Sequence, residues 1–235
     1  MNKYKYYKYK TKYINLRSLQ TGGTIIYTQK HTKKTFSGAG IILIEMYKNK
    51  PTVILFKSKR KEGVFYEGLG GGVDKKDLYN LCPLAATAIR EAFEESMGLV
   101  YFPDVLKIIR KVDNLDRHID IKYKNNYYRA YIIAIESNII NENDYNHNNK
   151  ILLKNTISSV YKETTAIGKF YIDDLIKDGL LTTESHFNSK TINGNIVTIF
   201  NRTREVLKKA YLDGNITTTL KYPIKLIKLN TFIGI

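Results

Sequence analysis

Apolar positions along the chain fall into short β-rich runs on either side of one Ala-rich helical stretch. Ala39 to Met46 is an apolar run, Lys48-Asn49-Lys50-Pro51 reads as a turn, and Thr52 to Phe56 is a second run, which together predict a hairpin. A shorter patch, Val64 to Tyr66, leads into the glycine cluster Gly68, Gly70, Gly71 and Gly72. Tyr127 to Ile135 reads as a buried strand and Lys169 to Ile172 as a shorter one, with Asp173 or Asp174 placed to cap a brief helix through Lys177. Ile199, Thr203, Val206, Leu207, Ala210 and Tyr211 repeat at helical spacing until Asp213-Gly214 stops them. Asn138 to Asn155 is polar and Asn-rich, and reads as a long exposed loop.

The Ala-rich stretch predicts a helix over Leu84 to Met97. At helical periodicity Glu91, Glu94 and Glu95 share an arc of about 100°, with Arg90 beside them, while Ala85, Ala88, Ala92 and Met97 fall on the opposite side. Like charges at these spacings repel by a few tenths of a kcal/mol per pair, and Arg90 alone offers local compensation. Such a face is ordinarily the wet side of an amphipathic helix, and it is read here as solvent-facing. Its context adds chemistry: a glycine cluster and an acidic turn, Gly70-Gly71-Gly72-Val73-Asp74-Lys75-Lys76-Asp77, precede it, and Gly98-Leu99 follows. Glycines let backbone approach a metal or phosphate closely.

These residues resemble the Nudix box, in which a glycine, five residues, a glutamate and seven residues lead to Arg-Glu-apolar-any-Glu-Glu-any-Gly-apolar. The match starts at Gly71 and reaches Arg90-Glu91-Ala92-Phe93-Glu94-Glu95. Asp77 stands in place of the first glutamate, Leu78 to Ile89 is twelve residues long, and Ser96-Met97 adds one residue before Gly98. The motif itself covers Gly70 to Leu99, and the order of elements extends the resemblance over about residues 36 to 212. The resemblance implies an α/β fold, a Nudix-type α/β/α sandwich with a mixed β-sheet and a catalytic loop-helix-loop. It also implies Mg²⁺ or Mn²⁺ held by the Gly70 carbonyl, Glu94 and Glu95, a suitable oxygen set for hard cations. Glu91 would ligate the metal or orient the attacking water, Arg90 would hold the glutamates, Gly71 and Gly72 would approach the substrate, and Asp77 would support the loop. Nudix enzymes often add a later carboxylate, for which Glu136 at the exit of the Tyr127 to Ile135 strand is the candidate, with Glu142, Asp144 and then Asp120 behind it.

Composition bounds the rest. The 235 residues suit one domain, taken as 21–215, with a basic extension 1–20 and a C-terminal extension 216–235. No apolar run approaches the roughly 20 residues of a membrane span, the opening residues lack the apolar stretch of a signal peptide, and Cys82 has no second cysteine to pair with. A reducing, cytoplasmic setting is therefore expected, without a membrane. The lone cysteine and four scattered histidines form no zinc pattern, and the glycine cluster lacks the Lys-Ser/Thr of a P-loop.

A net charge of +16 favours a polyanionic partner, although AT-rich codon usage also produces Lys, Asn, Ile and Tyr. In the first residues Lys3, Lys5, Lys8 and Lys10 interleave with Tyr4, Tyr6, Tyr7 and Tyr9, a mixture that suits single-stranded RNA as well as a solvated tail. Within the resemblance the lead substrate is the RNA 5′ cap, since large DNA viruses with AT-rich genomes encode Nudix decapping proteins of similar composition. The alternatives are a small nucleotide, a dinucleoside polyphosphate or an inositol pyrophosphate, or a Nudix-fold module that binds RNA or nucleotide without catalysis. Deleting residues 1–20 should weaken RNA binding and flatten its salt dependence by roughly 0.7 to 0.9 log units per lost phosphate contact, with kcat on a small diphosphate unchanged. An identical binding slope in the truncated protein would assign the tail's charge to codon bias.

Overall fold

The computed structural model describes residues 25–29, 32–100, 118–154, 163–183 and 187–224, so the basic extension 1–20 lies outside the described residues. The expected hairpin is β2 (Thr35–Tyr47) and β3 (Lys50–Arg60), longer than the apolar runs alone. Its two turn residues, Lys48 and Asn49, have φ of 48° and 61°, the left-handed pair that suits the twist of a two-residue hairpin. Ahead of it β1 (Tyr27–Thr28) pairs with β2.

β4 (Gly63–Glu67) and β5 (Leu69–Gly72) show that the glycine cluster is a strand rather than a loop. One edge of β2 is shared: Gly38 to Ile41 pairs with β5, and Leu43 to Tyr47 pairs with β3. β3 leaves β2 after Ile54 and takes β4 as its partner from Phe56 onward. The sheet therefore forks at Gly68, where an added Cβ would run into the Ile42 side chain.

The other edge of β2 pairs in parallel with β7 (Asn126–Ala134), which is flanked by antiparallel β6 (His118–Tyr123). β8 (Thr164–Tyr171) lines the free edge of β3, while β9 (Phe187–Lys190) and β10 (Ile196–Ile199) extend the β4 arm through a parallel contact. Among the described residues the result is a mixed ten-stranded sheet.

Helices cover both faces, and the period of two along β2 explains why: Ile41 and Leu43 join one core, Ile42 and Ile44 the other. On the first face lie α1 (Pro83–Glu95) and α2 (Glu142–Lys154). On the second lie α3 (Ile172–Lys177), α4 (Asn201–Leu212) and α5 (Asn215–Leu220). This is an α/β/α sandwich. Completely buried Phe56 and Phe170 anchor the two cores, each contributing about 1.5–3 kcal/mol by burial.

Several expectations are corrected. Within the segment expected to be a loop, Glu142–Lys154 is helical, because Asn141 accepts the Asp144 N–H at 3.0 Å to start α2 and Tyr145 is fully buried beneath it. Ile199 belongs to β10 and not to the following helix, and Asp173 and Asp174 sit in the first turn of α3, whose cap is Tyr171. Beyond residue 215, α5 packs on the sheet and Ile224 bridges to Ile135. Among the described residues no helix is long and apolar enough to cross a membrane.

Asp120 on β6 takes Arg129 at 2.7 and 3.0 Å and Lys34 at 3.1 Å. Burial alone would raise its carboxyl, but these hydrogen bonds and charges outweigh it and hold the pKa below the ordinary 3.8. A depressed folded-state pKa contributes stability above the unfolded value and loses it as pH falls through the folded one. Asp120→Asn should therefore flatten the decline of urea-unfolding stability below about pH 4. An unchanged acid limb would mean that the pair is silent.

Candidate functional site

α1 starts with Pro83 at its first turn, runs through good helix formers and ends where Met97 and Gly98 turn left-handed, at φ 55° and 77°. The extra residue before Gly98 is absorbed in that turn, with the Gly98 N–H on the Phe93 carbonyl at 2.8 Å. The long insert 78–89 is divided: a 3₁₀ turn at Asp77–Tyr79, a short link and then the first half of α1. The link exposes Tyr79 and Leu81.

The face of α1 expected to be wet is buried: Arg90 is 7%, Glu91 5% and Glu94 1% exposed. Burial follows from the glycine strand, which lets the helix come down on β5. An added Cβ at Gly71 would lie 2.5 Å from the Glu91 carboxyl carbon. It also follows from neutralisation by one guanidinium. Arg90 donates to the Gly72 carbonyl at 2.8 Å, to Asp77 at 2.9 Å and to Glu94 at 3.4 Å, and it pairs with Glu91. Asp77 is itself fixed by the Thr87 hydroxyl at 2.9 Å and the Asp74 N–H at 3.0 Å. Shortening glutamate to aspartate thus preserves the tie between the turn and the helix.

Glu95, half-buried, accepts the Gly70 N–H at 2.6 Å. Burial, together with the carboxylates of Glu91, Glu67 and Glu163, pushes its carboxyl well above the usual range, and the Gly70 hydrogen bond only partly opposes them.

Glu67 and Arg202 are the functional candidates that sequence reading missed. Glu67, buried at the fork, accepts from Arg60 at 2.8 and 2.6 Å, from Arg202 at 3.2 Å and from Ser58. Arg202, on α4 of the opposite face, also reaches the Gly70 carbonyl at 3.4 Å and lies over the Tyr128 ring at 4.3 Å. Burial drives the Tyr128 phenol up to about 12; Arg202 opposes this, and Glu95, Glu67 and Glu91 add to it. No local spacing links positions so far apart in the chain. Only the alternation within β4 hinted that Glu67 faces inward.

Glu136 is not brought to this cluster. Gly70 pairs with Gly40, which pairs with Ala130, so Glu136, six residues on and just past the end of β7, is about 20 Å away in the strand direction, and it is exposed. Glu142 starts α2 beside Tyr66, Asp144 is bound by Asn141 and Asp120 by Arg129. Among the described residues, a later carboxylate whose charge bears on Glu95 is Glu163, just before Thr164, whose hydroxyl donates to the Glu95 carbonyl.

Among the described residues no three His, Cys, Asp or Glu side chains converge as a ready-made metal cage. The donors nonetheless fit a hard cation in kind. Gly70 O, Glu91, Glu94 and Glu95 all offer oxygen donors, and the clustered carboxylates carry a charge conflict of the kind a divalent ion relieves.

No protein-family model matches the chain, and no curated protein does. Its fold is similar to that of a C. elegans Ap4A hydrolase in a binary complex, at 14% identity and a TM-score of 0.41, covering 75% of this chain and 98% of that one. It is also similar to the NUDIX domain of Shewanella oneidensis NrtR complexed with ADP ribose, at 9% identity and a TM-score of 0.41, covering 80% and 93%. NrtR from the same organism complexed with a 27mer DNA gives 7% identity and a TM-score of 0.39, covering 83% and 80%. Likenesses this distant leave the site to be read from its own residues.

Arg90→Met would strand Asp77, Glu91 and Glu94 together in a buried setting and should cost about 3–5 kcal/mol in urea unfolding. Arg90→Lys should recover part of that loss, because an ammonium cannot reach all the partners of a guanidinium fork. A loss in Arg90→Met smaller than about 1 kcal/mol, the scale of a surface pair, would contradict the buried network.

Proposed function

We propose that this chain is a Nudix-type pyrophosphohydrolase that cleaves a diphosphate bond in a nucleoside-diphosphate-linked substrate, with the RNA 5′ cap as the first substrate to test. The observation that carries the reading is the convergence on Arg90 of Gly72, Asp77, Glu91 and Glu94, residues from every part of the motif. A surface helix with a wet acidic side has no need of such a cluster.

The Gly70 carbonyl, Glu94 and Glu95 would hold Mg²⁺ or Mn²⁺. Bound there, the ion supplies charge neutralisation for the diphosphate and lowers the pKa of a water. Glu91 orients the attacking water and accepts its proton, and Arg90 keeps Glu91 and Glu94 in their rotamers. Gly71 makes room for the Glu91 carboxylate, and the backbone of Gly71 and Gly72 would approach the substrate as only glycines allow. Glu163 replaces Glu136 as the later carboxylate. The net charge of +16 supports a polyanionic substrate and places RNA ahead of small nucleotides.

The test is a Mg²⁺ or Mn²⁺ assay with capped RNA, free nucleotides, dinucleoside polyphosphates and inositol pyrophosphates. Cleavage of capped RNA in preference to the small substrates is the expected result. Glu94→Gln and Glu95→Gln should each abolish turnover, and Glu91→Gln should cost at least about 100-fold. Full activity in the Glu94 or Glu95 variant would remove the metal site, and absence of turnover on the whole panel would remove the enzyme reading.

A further inference from the structure

A second feature of the sheet is a cleft of about 290 Å³ at the β8 edge. Its floor is Ile167, Gly168 and Lys169, one wall is the segment 138–143 that enters α2, and the other is the turn 191–195 between β9 and β10. The Ile192 N–H on the Lys169 carbonyl, at 2.9 Å, fastens that turn to the floor. The size is near the lower end, about 300 Å³, of small-molecule sites. Lys169 lies five residues along β8 from Thr164, which contacts Glu95, a strand distance of about 17 Å. The near end of the floor, Ile167, is three residues or about 10 Å from Thr164, and Tyr66 adjoins Glu67, so the cleft lies beside the carboxylate cluster without sharing its carboxylates.

Its lining selects against anions. The one lysine on its floor is committed: Lys169 Nζ donates to fully buried Glu45 at 2.5 Å and to Asn138 Oδ1 at 3.3 Å. Glu142 adds a carboxylate at the rim. A phosphate would meet a neutralised lysine and a repelling charge. The remaining groups are side-chain amides on both walls, including Asn143 and Asn193, and the rings of Tyr47 and Tyr66. Each amide offers donors and an acceptor in one plane; the Tyr47 ring already carries the Lys169 ammonium at 4.9 Å, which leaves Tyr66 as the ring for stacking.

Tyr66 is built into its place. Its ring lies over Gly168, where an added Cβ would come within 2.8 Å of it, and Phe170 braces it edge-on at 5.7 Å. The missing side chain at Gly168 is what lets this ring reach the cleft.

We propose that the cleft binds the uncharged base-and-ribose portion of a nucleoside, with the base against Tyr66 and its edge on the asparagine amides. The choice of a nucleoside over a sugar rests on the diphosphate reading. The remaining features come from the cleft itself.

The experiment is a metal-free NMR or calorimetric titration of the full chain with adenosine, guanosine, cytidine and uridine, with glucose and pyrophosphate alongside. At least one nucleoside should bind with a sub-millimolar Kd and pyrophosphate should not. Tyr66→Leu should weaken that binding about tenfold or more, the scale of one stacked base. Should Tyr66→Leu fold poorly, the exposed pair Asn143→Ala/Asn193→Ala supplies the second variant, with a several-fold loss expected. Absence of nucleoside binding at millimolar concentration, preference for glucose, or nucleoside binding undiminished in both variants would overturn the proposal. Neither metal nor turnover enters this titration. Absence of turnover on the whole substrate panel would therefore sink the diphosphate reading without touching the binding result.

Discussion

A buried guanidinium surrounded by carboxylates is the constraint from which the candidate site follows. Asp77, Glu91 and Glu94 would repel one another strongly in a poorly hydrated space, and their desolvation would oppose folding. Arg90 offsets both effects with one planar fork and adds a hydrogen bond to the Gly72 carbonyl. The same residue thereby sets the rotation of α1 on β5 and joins the acidic turn to the helix. Its short hydrogen-bonding reach explains why an insert of several residues between Asp77 and Arg90 is tolerated: the insert loops outward and the two ends still meet.

That network requires a strand without a side chain at the point where Glu91 comes down, which Gly71 supplies, and glycines on the other face as well. Gly40 and Gly70 pair with each other, and an added Cβ at Gly70 would meet Gly40 Cα at 2.6 Å as well as the Tyr128 hydroxyl. Tyr128 fills the space these glycines leave on the opposite face, and Arg202 stacks on its ring. The cluster is therefore supported through the sheet, with Glu95 and Arg90 on one side and Arg202, Tyr128 and α4 on the other. Glu67 at the fork links them, since Arg60 from β3 and Arg202 from α4 both end on its carboxylate. The cleft at β8 uses the same device on a smaller scale, with Gly168 making room for Tyr66 and Glu45 neutralising Lys169.

Local pattern and tertiary structure disagree in this chain for identifiable physical reasons. The Asn-rich segment looked like a loop because asparagine has weak helix propensity, yet Tyr145 buries its ring against Phe56 and Asn148 donates to the Met97 carbonyl, so packing overrides propensity. Glu136 was placed at the sheet rim by its position after a strand. Strand register decides which rim, and the parallel pairing of β7 with β2 sends that residue away from Gly70. The helix periodicity grouped Glu91, Glu94 and Glu95 on one face but misjudged its surroundings, since 3.6 residues per turn say which side chains share a face and nothing about what covers it.

By itself the sequence determined the hairpin, the position of α1, the grouping of its charged residues and the glycine stretch before it. These depend on interactions within a few residues: alternation, helical spacing, turn propensity and the absence of a Cβ. Only the tertiary structure decided that the charged face is buried, that Glu67 and Arg202 join it, that Glu163 rather than Glu136 lies near Glu95, and that a tyrosine-lined cleft opens at β8. Each of those depends on strand register and on contacts between residues far apart in sequence. Such contacts arise when the sheet forks and its two faces are covered, a condition that no local pattern records.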